Sequence, residues 1–169
     1  MKTTGINCRR MLSFLAAGWM IAFNSYSQKT VDMTEQSKSI AVRFYSEVVN
    51  KGDTSAMNEV MAEGFIDHYA APHLPGGHEG FRQFLTMVAT AFPDIRVSVE
   101  DMIAEGDKVV VRLNVTGTQQ GVLMGTIPPS GKHAVWTGID ILKIQDGKIT
   151  ERWSQRDLFG MMKQIGAIK

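Results

Sequence analysis

The chain has 169 residues, of which 44% are hydrophobic and 21% charged, with a formal net charge of +1 and one cysteine. This is the composition of a single globular domain with or without a tail; it needs no second domain and contains no internal repeat or low-complexity stretch. Basic and acidic residues nearly balance and no basic run occurs, so there is no electrostatic case for nucleic-acid binding.

Residues 1–27 differ from the rest. Lys2, Arg9 and Arg10 precede an apolar run from Met11 to Phe23, and Ser25-Tyr26-Ser27 offers small residues where a signal peptidase cuts. This reads as a secretory signal peptide, cleaved before Gln28 or Lys29. The run of about 13 residues is shorter than the roughly 20 that cross a bilayer as a helix. The expectation is therefore an exported protein, periplasmic or secreted, with no stable membrane anchor once the leader is removed. Cys8 leaves with the leader, and so do three basic residues, so the mature chain keeps 15 basic against 17 acidic residues and has no thiol.

After a polar lead-in over residues 28–33, the domain is expected to occupy residues 34–169. Ile40, Ala41, Phe44, Tyr45, Val48 and Val49 recur at helical spacing, which predicts an amphipathic helix over Thr34 to Asn50. Lys51-Gly52-Asp53 ends it and opens a second helix, Ser55 to Met61. Phe65 to Tyr69 reads as a short extended piece. Ala70 to Gly80, broken by Pro72, Pro75 and Gly76-Gly77, reads as a loop. A third helix, Gly80 to Ala91, presents Phe81, Phe84, Leu85 and Val88 and stops before Pro93.

From Ile95 the period changes to two. Ile95 to Ala104 and Lys108 to Gln119 read as paired strands, with Val109, Val111, Leu113 and Val115 on one face. Gly121 to Ile127 continues toward the turn Pro128-Pro129-Ser130-Gly131, and Lys132 to Ile144 is the next long strand. A final strand and a helix over Leu158 to Ile165 follow. Helices segregated from strands indicate an α+β domain in which a curved sheet closes over a helix pair.

The last hairpin, Trp136 to Asp157, allows two turns. A two-residue loop on Asp146-Gly147 sets Asp140 opposite Trp153, whereas a three-residue loop on Gln145 to Gly147 sets Asp140 opposite Arg152 and Ile139 opposite Trp153. Favourable cross-strand pairs select the longer loop. One face then carries Trp136, Gly138, Asp140, Leu142, Thr150, Arg152, Ser154 and Arg156, a stripe suited to lining a small-molecule pocket. An exposed face with a surface ion pair is the plainer alternative.

Phe44-Tyr45, Asn50-Lys51-Gly52-Asp53, Glu79-Gly80-Phe81, Ala91-Phe92-Pro93-Asp94, the Gly125 to Lys132 turn, Gly138-Ile139-Asp140, Asp146-Gly147-Lys148-Ile149 and Glu151-x-Trp153 together carry a resemblance. In order and spacing, from about Thr34 to Gly166, they resemble the SnoaL-like polyketide cyclase or ester cyclase family of the nuclear transport factor 2-like superfamily. The resemblance implies a cystatin-like α+β barrel, with a cone-shaped, curved antiparallel sheet wrapped around N-terminal helices and a deep apolar pocket. It also implies cofactor-free intramolecular aldol closure of a polyketide ester, in which a carboxylate near the end of the final strand removes a proton alpha to a carbonyl. Aligned on Asp146 to Ile149, the family's catalytic aspartate falls on Ser154, and two histidine positions are taken by Asp140 and Arg152.

The candidate catalytic residues are accordingly His68 and Asp140. A histidine titrates near neutrality, and Asp140 is the strongest remaining acid, with Arg152 opposite favouring its ionised form. Arg152, Trp136, Ser154, Tyr69 and Phe92 are the candidate ligand contacts. Arg152 suits a bidentate grip on an oxyanion, and the aromatic rings suit core or pocket lining. A Ser154-His68-Asp140 triad lacks the strained Gly-x-Ser-x-Gly turn. His68, His73 and His78 recur every five residues but are separated by proline and glycine, with no metal-binding spacing, so neither a metal nor a cofactor is expected. The expected partners are a small apolar or polyketide-like molecule and a second copy of the chain, with Trp153 and Ile139 packing under a helix or in the homodimer interface.

Overall fold

Apolar residues one turn apart wind the first described segment into helix α1, residues 33–51, whose inner side buries Ala41, Phe44, Tyr45 and Val48. In this computed structural model, which describes residues 33–70 and 73–169, the stretch Phe44–Val49 of α1 is π-helical. The leader and its cleavage site lie outside the described residues. Gly52, at φ 66°, breaks α1, and the Asp53 carboxylate accepts the Ser55 and Ala56 amides to start helix α2, Thr54–Val60. Strand β1, Met61–Asp67, follows without a loop. Helix α3 covers Gly77–Ala91, strands β2 and β3 cover Arg96–Glu105 and Lys108–Thr118, β4 and β5 cover His133–Gln145 and Lys148–Arg156, and helix α4 covers Leu158–Ile165.

The strands form one sheet in the order β1-β5-β4-β3-β2. Neighbours are antiparallel except at one edge, where β1 lies parallel to β5. Strict alternation of buried and exposed residues along β3 and β4 gives the sheet a dry inner face and a wet outer one. The expected α+β architecture, helices held in a curved sheet, is the observed one within the compact unit Gln36–Lys169. The inner face meets two clusters. Phe44, Tyr45, Met57, Phe65, Phe81 and Leu113 belong to one, and Phe92, Val115, Trp136, Met161 and Ile165 to the other.

Four local expectations are corrected. Of the extended piece expected at Phe65 to Tyr69, Phe65, Ile66 and Asp67 end a full sheet strand, β1, whose register with β5 jumps between Met61 and Ile66, and His68 and Tyr69 turn away. Helix α3 starts at Gly77 rather than Gly80, because Gly77 (φ 68°) turns the chain directly into it. Residues 121–127 make no strand; they carry a bridge between Leu123 and Ile127 and are tied to α3 by the Gly121 amide, which donates to the Ala91 carbonyl.

The hairpin between β4 and β5 uses the two-residue turn, with Asp146 and Gly147 both at positive φ (51° and 76°). Gln145 faces Lys148 and Ile144 faces Ile149, but Lys143 faces Glu151, so Thr150 is an extra residue, a β-bulge. Beyond it, Asp140 lies opposite Ser154, Gly138 opposite Arg156 and Ile141 opposite Trp153, not in the expected pairs. The bulge nevertheless restores the parity. Arg152 and Ser154 point inward together with Trp136, Asp140 and Leu142, whereas Ile149 replaces Thr150 on the buried face.

Candidate functional site

Between the two core clusters lies a cavity of about 540 Å³. Its walls are mostly apolar: Phe84, Leu85 and Val88 come from α3, Phe92 and Ile95 from the loop after it, Trp136 from β4 and Met161 from α4. Val122, Met124 and Met87 line it while remaining 54%, 53% and 46% exposed, so they mark its mouth. Polar groups reach it chiefly at one end, where Tyr45, Tyr69, Arg152 and Arg156 contribute. An apolar chamber with a few convergent polar groups is the usual form of a small-molecule site.

That polar end is organised by Asp140, which is wholly buried on β4. Arg156 grips its carboxylate with two hydrogen bonds of 2.5 and 3.0 Å. The Ser154 hydroxyl donates to Oδ1 at 2.6 Å and the Tyr45 hydroxyl to Oδ2 at 2.7 Å. Burial by itself would raise the Asp140 pKa. The hydrogen bond from Arg156, the charges of Arg152 and Arg156, and the Ser154 bond overcome burial and hold it below the ordinary carboxylate value. A carboxylate so held is a counter-ion, and a poor base.

Tyr45 shows the opposite effect. Burial first, and then the adjacent Asp140 charge, push its phenol well above the usual value, so it keeps its proton. Tyr45 lies in the π-helical stretch of α1. A π turn widens the helix and often occurs at functional sites. Arg156 loses stability as a cation through burial but regains more from Asp140, and its pKa is raised.

Arg152 does not pair primarily with Asp140. Its Nη1 stands 4.0 Å from that carboxylate, while its Nε and Nη2 donate to Asp67 at 3.2 and 2.7 Å. The guanidinium also lies 4.9 Å from the Phe81 ring centroid and 5.4 Å from that of Phe84. The expected Asp140–Arg152 pair is thus replaced by two pairs, Asp140–Arg156 and Asp67–Arg152. The cause is the shorter turn together with the bulge, each of which shifts the pairing by one place, so that Arg152 lies opposite Leu142.

The structure brings together Asp140, Ser154 and Arg152 at the polar end, with Trp136, Tyr69 and Phe92 in the cavity wall. Phe92 and Trp136 pack at 5.2 Å between ring centroids. Ser154 reaches Asp140 but does not line the main cavity. His68 stands apart from the cavity and shares only a second recess with Ser154. It stacks on Trp153 at 4.5 Å and meets Glu151 Oε2 at 2.9 Å, over the outer face of the sheet in a shallow recess with Ile139 and Ile141. Trp153 and Ile139, expected under a helix or in an interface, border that recess, and Ile139 is half exposed.

Sequence reasoning placed Arg156 on the pocket stripe but gave it no role, and it missed Tyr45 and Asp67 as members of the cluster. A tyrosine on the buried stripe of α1 was a visible signal, because a buried hydroxyl needs a partner. Asp67 gave none, since its partner depends on a parallel pairing across 85 residues. Among the described residues no group of three His, Cys, Asp or Glu side chains is placed to hold a metal ion.

Residues 39–165 match the family model described as SnoaL-like polyketide cyclase. Two relatives are each 29% identical over 129 residues, covering 74% of this chain. They are the aklanonic acid methyl ester cyclase DauD of Streptomyces sp. (strain C5), 79% of which is covered, and the aklanonic acid methyl ester cyclase DnrD of Streptomyces peucetius, 88% of which is covered. The solved structure of TsrD from Streptomyces laurentii superimposes with a TM-score of 0.72 at 29% identity, covering 79% of this chain and 97% of TsrD.

Proposed function

The chain belongs to the SnoaL-like polyketide cyclase family, and on that footing we propose that it binds a polyketide-type small molecule in its cone and polarises one carbonyl at the polar end. The observation that carries this reading is the apolar cavity ending on Arg156 and Tyr45. Arg156 has five N–H donors. Asp140 takes two and the Gln155 carbonyl one, which leaves two to meet a guest oxygen. Hydrogen-bond donors fixed in an apolar chamber stabilise the negative charge that develops on a carbonyl oxygen when a base removes the alpha proton, one requirement of cyclase- or isomerase-type chemistry.

A second reading is a binding domain without turnover. It is favoured by Ser154, a hydroxyl where the family resemblance places a carboxylate, and by the tight hold on Asp140 and Asp67. We further read residues 1–27 as an export leader and the outer sheet face as a homodimer surface.

The test is to add aklanonic acid methyl ester to the purified full chain, measuring binding by calorimetry and ring closure by chromatography. Binding that Arg156→Gln weakens supports the cavity reading, and ring closure above the uncatalysed rate makes the chain an enzyme. Binding without closure selects the second reading. If this ester fails to bind, and no small molecule co-purifies with the chain in native mass spectrometry, the proposed site is wrong.

A further inference from the structure

The polar end of the cavity is built from four charges that cancel. Asp67 and Arg152 form one pair, with 3% of the arginine side chain and 7% of the aspartate side chain exposed. Asp140 and Arg156 form the other. The pairs touch where Arg152 Nη1 stands 4.0 Å from Asp140 Oδ2. Arg152 lines the cavity, but Asp67 stands behind it, and the rings of Phe81 and Phe84 flank the guanidinium.

This balance constrains the guest. A carboxylate brought to this end would meet two cations already neutralised, and its own charge would be buried without compensation. An uncharged carbonyl oxygen needs only an N–H donor and carries no such cost. Removing the Asp67 charge would leave a guanidinium in the cavity wall with an unbalanced positive charge, which is the making of an anion site.

We propose that Asp67, acting through Arg152, sets the charge of the guest, so that the cavity selects an uncharged carbonyl compound over the corresponding carboxylate. Asp67 is a positioning residue, and it determines specificity without touching the guest. The inference rests on the reading of the cavity given above and names the class of molecule that it takes.

Two probes of nearly the same shape separate charge from size: 2-naphthamide and 2-naphthoate, titrated calorimetrically into the full chain at pH 7. The native chain is expected to bind the amide about tenfold more tightly or better. In Asp67→Asn the naphthoate should gain about tenfold while the amide changes by less than about twofold. The double variant Asp67→Asn, Arg152→Gln again balances the charges and should restore the preference for the amide. Mere loosening of the fold would weaken both probes and would not be reversed by the second substitution. If Asp67→Asn does not fold, Arg152→Gln alone makes the end net negative and should weaken the naphthoate selectively. Equal binding of both probes by the native chain, or an unchanged ratio in the variants, overturns the role of Asp67 alone. Failure of the native chain to bind the amide or the naphthoate overturns the charge selection, and failure to bind aklanonic acid methyl ester as well overturns the small-molecule reading of the cavity.

Discussion

The Tyr45 hydroxyl and the Asp140 carboxylate, 95 residues apart in the chain, meet at 2.7 Å inside the protein. This contact ties the π-helical part of α1 to the middle of the sheet. Tyr45→Phe keeps the ring and removes only the donor to a charged acceptor, so it should cost about 1.5–3 kcal/mol of unfolding free energy in urea titration. The raised phenol pKa adds an alkaline signature. The unfolded tyrosine ionises near 10.0, while the folded one stays protonated above that pH. Its contribution is complete below that value and is lost as pH rises through the folded pKa. In an alkaline spectrophotometric titration, one tyrosine should therefore ionise only as the protein unfolds, and the Phe variant should lack that step.

Acid should act through Asp140 with the opposite sign. Its folded pKa lies below the ordinary 3.8, so its contribution is complete above 3.8 and is lost as pH falls through the folded value. Asp140→Asn leaves Arg156 without its counter-charge and should cost about 3–5 kcal/mol at neutral pH. The difference between native and variant stability should shrink as pH is lowered beneath 3.8, when measured by denaturant unfolding at each pH. A difference that stays constant with pH would show that Asp140 is not held ionised.

Gly138 makes room for Arg156. A Cβ at this position would lie 2.6 Å from both Cδ and Nη1 of that side chain, so even alanine must displace the arginine from Asp140. Gly138→Ala should lower the affinity for any cavity ligand by about tenfold or more and destabilise the fold by about 1–3 kcal/mol. Affinity by calorimetry and stability by urea titration would check the two effects, and the alanine variant should resemble Arg156→Gln in ligand preference.

His68→Ala gives the contrasting case. The side chain is 38% exposed, and its partners, Glu151 and Trp153, belong to the outer face. Stability should fall by about 1 kcal/mol or less. Ligand affinity and any turnover should be unchanged, because the His68 side chain touches outer-face residues and its backbone bond to the Arg152 carbonyl survives the substitution. A variant that loses ligand binding would place the site on the outer recess instead.

The fold and the inner face of the hairpin were legible because alternation survives small errors of register. A three-residue turn and a two-residue turn followed by one bulge differ by two places, so beyond the bulge the same side chains point inward in either case. The partners are what shift: Asp140 meets Arg156 rather than Arg152, and no pattern of apolar residues signals a bulge. The second pair was hidden for a different reason. Asp67 sits at the end of an edge strand whose parallel partner comes last in the chain. His68, one residue further on, follows the turn to the other side of the sheet. Neighbouring residues of an extended segment face opposite ways, so an inward Asp67 sets His68 outside.

The extra residue at Thr150 bears on how such a hairpin can diverge. Loss of a single codon there would leave the turn and every cross-strand pair in place and merely straighten β5, whereas pairing Thr150 into the ladder would rotate the rest of the strand by half a period. Arg152, Ser154 and Arg156 would then face water, and Trp153 would be driven into the interior. Related chains should therefore vary at this position, even by one residue of length, while keeping the pairing beyond it.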